Sequence, residues 1–453
     1  MERPFSWNPE PKARRRLNEA RLRAGKKIYF GWWTVLVTGV LSGLGHGFYG
    51  YGFSVFFKDL AAELGLSRAV TSLAAGIGRP AGGITSPVVG LLADRYGPKY
   101  IIFFGVCLAA SGLILMNFIA TTTQYILVWG IMIGMGLNIG LTVAVDKSLN
   151  DWFVLKRGLA QGTKFGLLGV GGLAALPVVA LLVTHLGWRM TCLVWGLLLF
   201  GLSPLILIFV RQKRPEHYGL LPDGAEAPPP NDSGSDQPEA ARIVDFQNEE
   251  TDFSFRQAVR TRAYWLLAAA FAVQMLIMGG VGIHVIPFLT DIGIDRAHAA
   301  GMMGLLVFFT IPSQFFSGIV ADRVGKRRLN LLLVGVYLLQ GAGLLALLVG
   351  GSGTAPVYVF LMLYGFTSGA ATPLFILILG RYFGRQAFGA IFGGSMIIRA
   401  PASFLAPVLS GWIYDRTGSY MLAFAIYTAL ALAAAVIMFF VRPVAPPEAA
   451  PTE

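Results

Sequence analysis

The sequence predicts an all-α membrane protein with twelve transmembrane helices in two pseudo-symmetric six-helix bundles. Three observations carry this expectation. Of 453 residues, 55% are hydrophobic and only 13% charged. The charged share is about half the ~25% of a soluble domain, and so much apolar surface cannot be hidden from water in a single core. Twelve apolar runs each reach about 20 residues, the length a helix needs to cross a hydrocarbon layer. The last six runs repeat features of the first six at a nearly constant offset.

Lipid offers no partner to an open backbone, so every run must be helical. The N-tail, 1–29, is polar and basic. The run after it is too long for a cleaved signal segment and lacks its exit site, so the N-terminus is expected to stay cytoplasmic. The N-terminal bundle, 30–210, contains spans 30–56, 68–92, 99–119, 123–146, 158–183 and 189–210. A cytoplasmic linker, 211–261, follows. Its middle, Ala225–Ala241, is rich in Pro, Ser, Asp and Gly and is expected to be disordered. The C-terminal bundle, 262–441, contains spans 262–288, 298–320, 329–350, 356–380, 387–412 and 419–441. An even number of crossings returns the C-tail, 442–453, to the cytoplasm. The 56 glycines would weaken soluble helices, but in a membrane they let helix backbones approach one another.

The formal net charge is +12, which in a soluble chain would suggest nucleic acid. Topology accounts for it instead. With both termini inside, 28 of the 36 Lys and Arg residues fall on cytoplasmic segments and five (Lys58, Arg68, Arg189, Arg296, Arg416) on outer loops. That split follows the positive-inside rule. The expected partner is therefore the lipid bilayer, with no nucleic acid, and the expected location is a bacterial inner membrane. Cys107 and Cys192 lie in apolar runs and read as packing residues. The sequence holds no P-loop, no metal-spaced histidine pair and no hydrolytic triad, so neither an enzyme nor a cofactor is expected. A monomer is expected.

The internal repeat is specific. Gly65-Leu66-Ser67-Arg68 recurs as Gly293-Ile294-Asp295-Arg296, and the stretch Gly90 to Lys99, containing Asp94-Arg95, recurs as Gly318 to Arg327, containing Asp322-Arg323. Both are shifted by 228 positions. Gly136 and Gly140 recur as Gly365 and Gly369, and Trp152-Phe153 as Tyr382-Phe383. Two bundles of the same orientation imply a pseudo-twofold axis along the membrane normal, with a binding site near the midplane between them.

These features resemble the major facilitator superfamily, whose signature Gly-x-x-x-Asp-Arg-x-Gly-x-Lys/Arg appears here twice. The resemblance implies the major facilitator fold and a cytoplasmic latch between the halves. Asp94 and Arg95 would form the main latch, and Asp322 and Arg323 its copy. Arg157, at the start of span 5, is grouped with this gate. The run Trp152-Phe153-x-x-Lys156-Arg157-Gly158-Leu159-Ala160-Gln161-Gly162 is similar to the span-5 signature of monocarboxylate porters, as Phe30-Gly31-Trp32-Trp33 is to their Gly-Trp entry. Arg381 to Gly393 looks like the turn before span 11 in bacterial monocarboxylate and oxalate/formate-type relatives. The chain departs from the pattern in three places: Lys164 replaces a small residue, Tyr29-Phe30 replace an acid, and span 8 carries no arginine or lysine.

Three cations lie inside spans: Arg79, Arg399 and Lys164. An arginine at the bilayer centre costs at least ~2.5 kcal/mol, so it usually faces a cavity or partner. A guanidinium grips a carboxylate with two bonds. Arg399 fits the basic position in span 11 of oxalate/formate-type relatives, and Arg79 lies across from it in span 2 by the superfamily's arrangement. Lys164 can either line the site or reach the cytoplasmic face. His46 and His284 are candidates for proton exchange. Tyr49, Asn138, Gln274 and Tyr364 are expected to line the cavity, because spans 1, 4, 7 and 10 do so in this superfamily. The acids Asp94, Asp146, Asp151 and Asp322 are expected at the inner edge, leaving none at mid-membrane. A deep carboxylate relay is therefore not expected. If protons couple at all, the route is a histidine, an edge acid or the substrate's own carboxylate, and uniport and exchange stay equally open.

The function expected is secondary active or facilitative transport of a small organic anion, a monocarboxylate or short dicarboxylate, by alternating access. Two alternatives stay open. One is an exporter of hydrophobic or drug-like compounds on the same fold. The other is a membrane sensor or scaffold that no longer transports.

Overall fold

A computed structural model of the chain describes residues 28–66, 68–224, 252–294, 296–350 and 353–444. The tails and the middle of the linker, including the expected disordered stretch, lie outside the described residues.

Span 1 is α1 (Phe30–His46), a π turn at Gly47–Gly52 and α2 (Phe53–Glu63). Spans 2 and 3 are α3 (Arg68–Tyr96) and α4 (Pro98–Leu115). They are joined at Gly97, whose φ of 83° suits glycine. Span 4 begins on a Thr121–Gln124 capping box at α5 (Thr122–Tyr125). It runs through α6 (Gly134–Asn138) and α7 (Ala144–Trp152), with π-helical stretches Ile126–Ile133 and Ile139–Val143 between. The expected end at 146 is six residues early. Residues Asp146 to Asp151 continue the helix and are buried.

Spans 5 and 6 share α8 (Arg157–Leu202), which folds back at Gly187 (φ 76°, ψ 166°) and continues into α9 (Pro204–Phe209). The C-terminal half starts at α10 (Phe255–Ala258), again behind a capping box, Ser254–Gln257. Its six spans are α11 (Arg262–Asp291), α12 (Arg296–Arg323), α13 (Leu329–Gly350), α14 (Thr354–Phe383), α15 (Phe388–Thr417) and α16 (Met421–Phe440). Among the described residues, nine continuous helical stretches are long and apolar enough to cross a membrane. One of them, Arg157–Phe209, makes two passes, and spans 1 and 2 complete the twelve.

Glycine determines how the helices meet. Gly39, Gly43 and Gly47 of span 1 lie against Leu167, Gly171 and Gly172 of span 5, and Gly196 of span 6 lies against Ala110 and Ile114 of span 3. The C-terminal half pairs the same way: span 7 with 11, and 9 with 12. Across the halves, span 2 packs on 11 and span 5 on 8. These pairings are what a twofold axis between the bundles requires. Within the N-terminal half, Trp129 is ringed by Phe53, Tyr49 and Phe56 at centroid distances of 4.9–5.7 Å. Offset and edge-on contacts of this kind favour one packing over others.

Candidate functional site

Two polar regions are buried between the halves. The first is central. Lys164 of span 5 donates to Asp146 of span 4 at 3.0 Å, with side-chain exposures of 2% and 1%. The Gln161 amide lies beside Asp146, and Arg399 of span 11 sits within its electrostatic reach. His46 of span 1 lies near Lys164, and its buried Nδ1 has no hydrogen bond among the described residues. The pairing of Lys164 with Asp146 corrects two expectations. Lys164 is buried on Asp146 rather than reaching the surface at the linker end, and an acid does lie buried among the spans. The expected edge position of Asp146 fails because the helix runs on to Trp152.

Arg399 is buried. Its guanidinium lies over the rings of Phe271 (4.4 Å), Phe375 (5.2 Å) and Phe392 (5.2 Å), from spans 7, 10 and 11. Phe271 and Phe375 are themselves stacked at 4.1 Å. Cation–π attraction of this kind holds the charge without using its hydrogen-bond donors. Among the described residues its hydrogen bond is from Nη1 to Ser395 Oγ at 3.3 Å, and Nε has none. The side chain of Arg79 lies outside the described residues.

The other expected lining residues divide. Gln274 is buried with neither end of its amide hydrogen-bonded. Asn138 accepts a bond from Ser86 Oγ (3.0 Å) of span 2. Tyr49 stacks on Trp129, and Tyr364 donates to the Ile277 carbonyl (3.3 Å), tying span 10 to span 7. His284 is far from the central group. Its Nε2 meets the Pro407 carbonyl at 3.1 Å and its ring meets Tyr420, at the end away from the linker.

The second polar region closes the linker end. Asp94 accepts from the backbone N–H of Gly389 (3.1 Å) and Ala390 (2.8 Å), at the start of span 11. Asp322 accepts from Gly158 and Leu159, both at 2.8 Å, at the start of span 5. Each aspartate thus caps a helix of the opposite half, where the helix dipole and free N–H groups favour an anion. The cations beside them are Lys147, 3.4 Å from Asp94, and Arg381, 3.4 Å from Asp322. Arg95 and Arg323 are exposed, with Arg95 lying over the neighbouring Tyr96 ring. They stand apart from the caps because the helix turns them outward one residue beyond the aspartate. Arg157 is buried and donates to the Phe153 (3.0 Å) and Asn150 (3.4 Å) carbonyls at the end of span 4. A cation there offsets the negative end of that helix.

Two further aspartates frame the linker. Asp223 accepts three backbone bonds, from Val154, Leu155 and Lys156 (2.8–3.0 Å). Burial nevertheless pushes its carboxyl above the ordinary range. Asp252 accepts from Arg385 and Gln386 (2.7 and 2.9 Å). Asp223→Asn exchanges one acceptor oxygen for a donor facing other donors. It is expected to lower the thermal midpoint by several degrees, about 1–3 kcal/mol, as read by a melting curve of the purified protein.

Residues 35–407 match the profile of the Major Facilitator Superfamily. The chain belongs to the major facilitator superfamily. As a superfamily member it is a transporter and not an enzyme, and within the superfamily it resembles the monocarboxylate branch. It is 26% identical over 404 residues to monocarboxylate transporter 13 of Bos taurus, covering 89% of this chain and 87% of the relative. It is 25% identical over 376 residues to monocarboxylate transporter 12-B of Danio rerio, covering 79% and 76%. Two solved structures share the fold. The transporter FucP, in its outward conformation, aligns with a TM-score of 0.68 at 14% identity, over 90% of this chain and 99% of that one. The human organic anion transporter MFSD10 aligns at 0.65 and 14% identity, over 92% and 98%.

Proposed function

We propose that this protein carries a small organic anion, a monocarboxylate or short dicarboxylate, by alternating access, with the carboxylate gripped by Arg399. The observation that carries the reading is the guanidinium itself. It is buried between the halves, held by three aromatic faces, and has donor capacity left over. A buried cation with unspent donors suits an anion with two oxygens. The names of the monocarboxylate transporter relatives point the same way. Arg79, Gln274, Asn138 and His46 are proposed to line the same passage. Tyr49, Tyr364 and His284 are proposed to shape it through packing.

The test is a thermal-stability screen of the purified protein against acetate, lactate, benzoate and oxalate, with neutral sugars and organic cations alongside. Stabilisation by at least one acid is expected. Stabilisation by neutral or cationic compounds only would favour the exporter of drug-like cargo and sink the anion reading.

Asp94 and Asp322 are proposed as latches that close the linker end, with Lys147 and Arg381 as their cations. A carboxylate cap of this kind is worth about 0.5–2 kcal/mol. Asp94→Asn is therefore expected to lower the transport rate about fivefold or more while expression changes less than about twofold. Unchanged uptake at normal expression would remove the latch role. On the cation count we place the linker end and both termini in the cytoplasm. The likeness of Arg381 to Gly393 to bacterial carboxylate porters keeps a bacterial inner membrane as the proposed location, and a monomer as the proposed state. Protons remain a candidate coupling ion.

A further inference from the structure

The linker end holds a second set of contacts beside the two aspartate caps, and it centres on Arg385. This arginine lies in the turn between spans 10 and 11 and is 8% exposed. Its backbone N–H donates to Asp252, just before span 7, at 2.7 Å. Its Nη1 donates to the Asp151 carbonyl at 3.1 Å and to Glu216 Oε1 at 3.1 Å. Asp151 belongs to the end of span 4, whose last carbonyls have no partner inside the helix and favour a cation. Glu216 lies on the segment that follows span 6, in the short turn Pro215–Tyr218. Arg214, on the same segment, pairs with Asp151 at 3.4 Å. The carbonyl of Arg385 accepts from Lys147, the same ammonium that stands 3.4 Å from Asp94. One residue of the C-terminal half is thus held by the linker, by span 4 and, through Lys147, by the Asp94 cap.

The repeat shows that this arrangement is one-sided. Trp152-Phe153 and Tyr382-Phe383 are 230 positions apart. At that offset the N–H groups of Leu155 and Lys156, bound by Asp223, correspond to those of Arg385 and Gln386, bound by Asp252. Each end of the linker therefore fixes the matching turn of its own half. The side chains differ. Leu155 stands where the other half has Arg385, and leucine has no donor to offer a carboxylate or a carbonyl.

We propose that Glu216 and Arg385 make the linker a working part of the gate. The segment after span 6 holds the turn before span 11 on the end of span 4. Asp252 keeps Arg385 with the C-terminal half, so Arg385 must leave both Glu216 and the Asp151 carbonyl each time the linker end opens. This rests on the reading that Asp94 and Asp322 close that end in the transport cycle. Glu216 and Arg385 act by positioning the turn, and neither touches the carried molecule.

The experiment follows maleimide labelling of a buried reporter, Asn150→Cys, in the purified full chain with Cys107 and Cys192 replaced by alanine. Asn150 is buried at the end of span 4 against Gly380 of span 10, so it lies between the halves. Its amide has no hydrogen bond among the described residues, and cysteine removes none. Asp94→Asn is the reference and is expected to raise the labelling rate about fivefold. Glu216→Gln is expected to raise it at least about threefold, and Arg385→Gln at least about tenfold. Adding Glu216→Gln to Arg385→Gln is expected to change nothing further, because both remove the same bond. The Glu216 side chain is 37% exposed, so its variant carries the decision if Arg385→Gln fails to fold. A merely structural role would loosen the chain everywhere. It would raise labelling of Cys192, buried at the far end of span 6, by the same factor in a chain without the reporter, and that result would overturn the proposal. Multiplying factors in the double variant would overturn the pairing of Glu216 with Arg385. Unchanged labelling in the Glu216 and Arg385 variants, where Asp94→Asn raises it, would overturn the proposal and leave the aspartate latch standing. No rise with any of the three would overturn both.

Discussion

Replacing Arg399 with glutamine is expected to weaken carboxylate binding at least about 100-fold while leaving a folded protein. Charge-assisted hydrogen bonds contribute about 1.5–3 kcal/mol each, and a forked guanidinium makes two. Loss of the pair therefore exceeds the roughly 2.7 kcal/mol that corresponds to a factor of 100. The fold should tolerate the change, because among the described residues Arg399 forms no ion pair within bonding distance, and glutamine retains a polar group beside Ser395. The rings of Phe271, Phe375 and Phe392 close over apolar atoms as readily as over a cation. Arg399→Lys should fall between the two, since an ammonium keeps the charge but not the fork. The measurement is the acid concentration that gives half-maximal thermal stabilisation. Equal values for wild type and Arg399→Gln would remove this residue from the site.

The second large effect belongs to the linker end. Gly90 of span 2 lies so close to span 11 that a Cβ on it would overlap the Gly389 carbonyl. Gly318 of span 8, its counterpart by the repeat, meets the Gly158 carbonyl in the same way. Both contacts are backbone on backbone, so no side chain can swing aside. Overpacking costs about 1–3 kcal/mol per site. The double variant Gly90→Val with Gly318→Val therefore shifts the balance away from the closed linker end by roughly 4 kcal/mol, on the order of 1,000-fold. Transport, which needs each end to close in turn, is expected to fall by more than about tenfold. Carboxylate binding should stay within about threefold, because both glycines lie away from Arg399. A variant that transports normally would show that this contact is not part of the cycle.

Much of the architecture was legible in the sequence because it rests on one-dimensional signals. Apolar runs specify spans, and the offset of 228 relates the halves. The same offset set Asp94 and Asp322 at matching registers, and in the structure both cap a helix of the opposite half. Their cations were not legible. Lys147 is separated from Asp94 by more than 50 positions and reaches it only once span 4 extends past 146. That extension carried its own signal: no Gly or Pro interrupts Asp146 to Trp152, and Lys147 and Asp151 stand four apart and pair at 2.9 Å. It also hid the pairing of Lys164, since Asp146 counted as an edge residue. The ring set around Arg399 comes from three spans, and apolar periodicity cannot tell a phenylalanine that stacks on a cation from one that faces lipid. Asp223 and Asp252 grip backbone N–H groups of distant loops, contacts that leave no mark in residue type.

The central claim is that the protein moves carboxylates across a membrane through Arg399. The most direct measurement is counterflow in proteoliposomes. Vesicles are loaded with an unlabelled acid that stabilises the protein, and entry of the same acid in labelled form is followed. Saturable entry is predicted for wild type, falling to the level of protein-free vesicles for Arg399→Gln. Entry no faster than in protein-free vesicles for the wild type, despite clear binding of the acid, would contradict transport and favour a sensor. Equal entry for both proteins would contradict the role of Arg399.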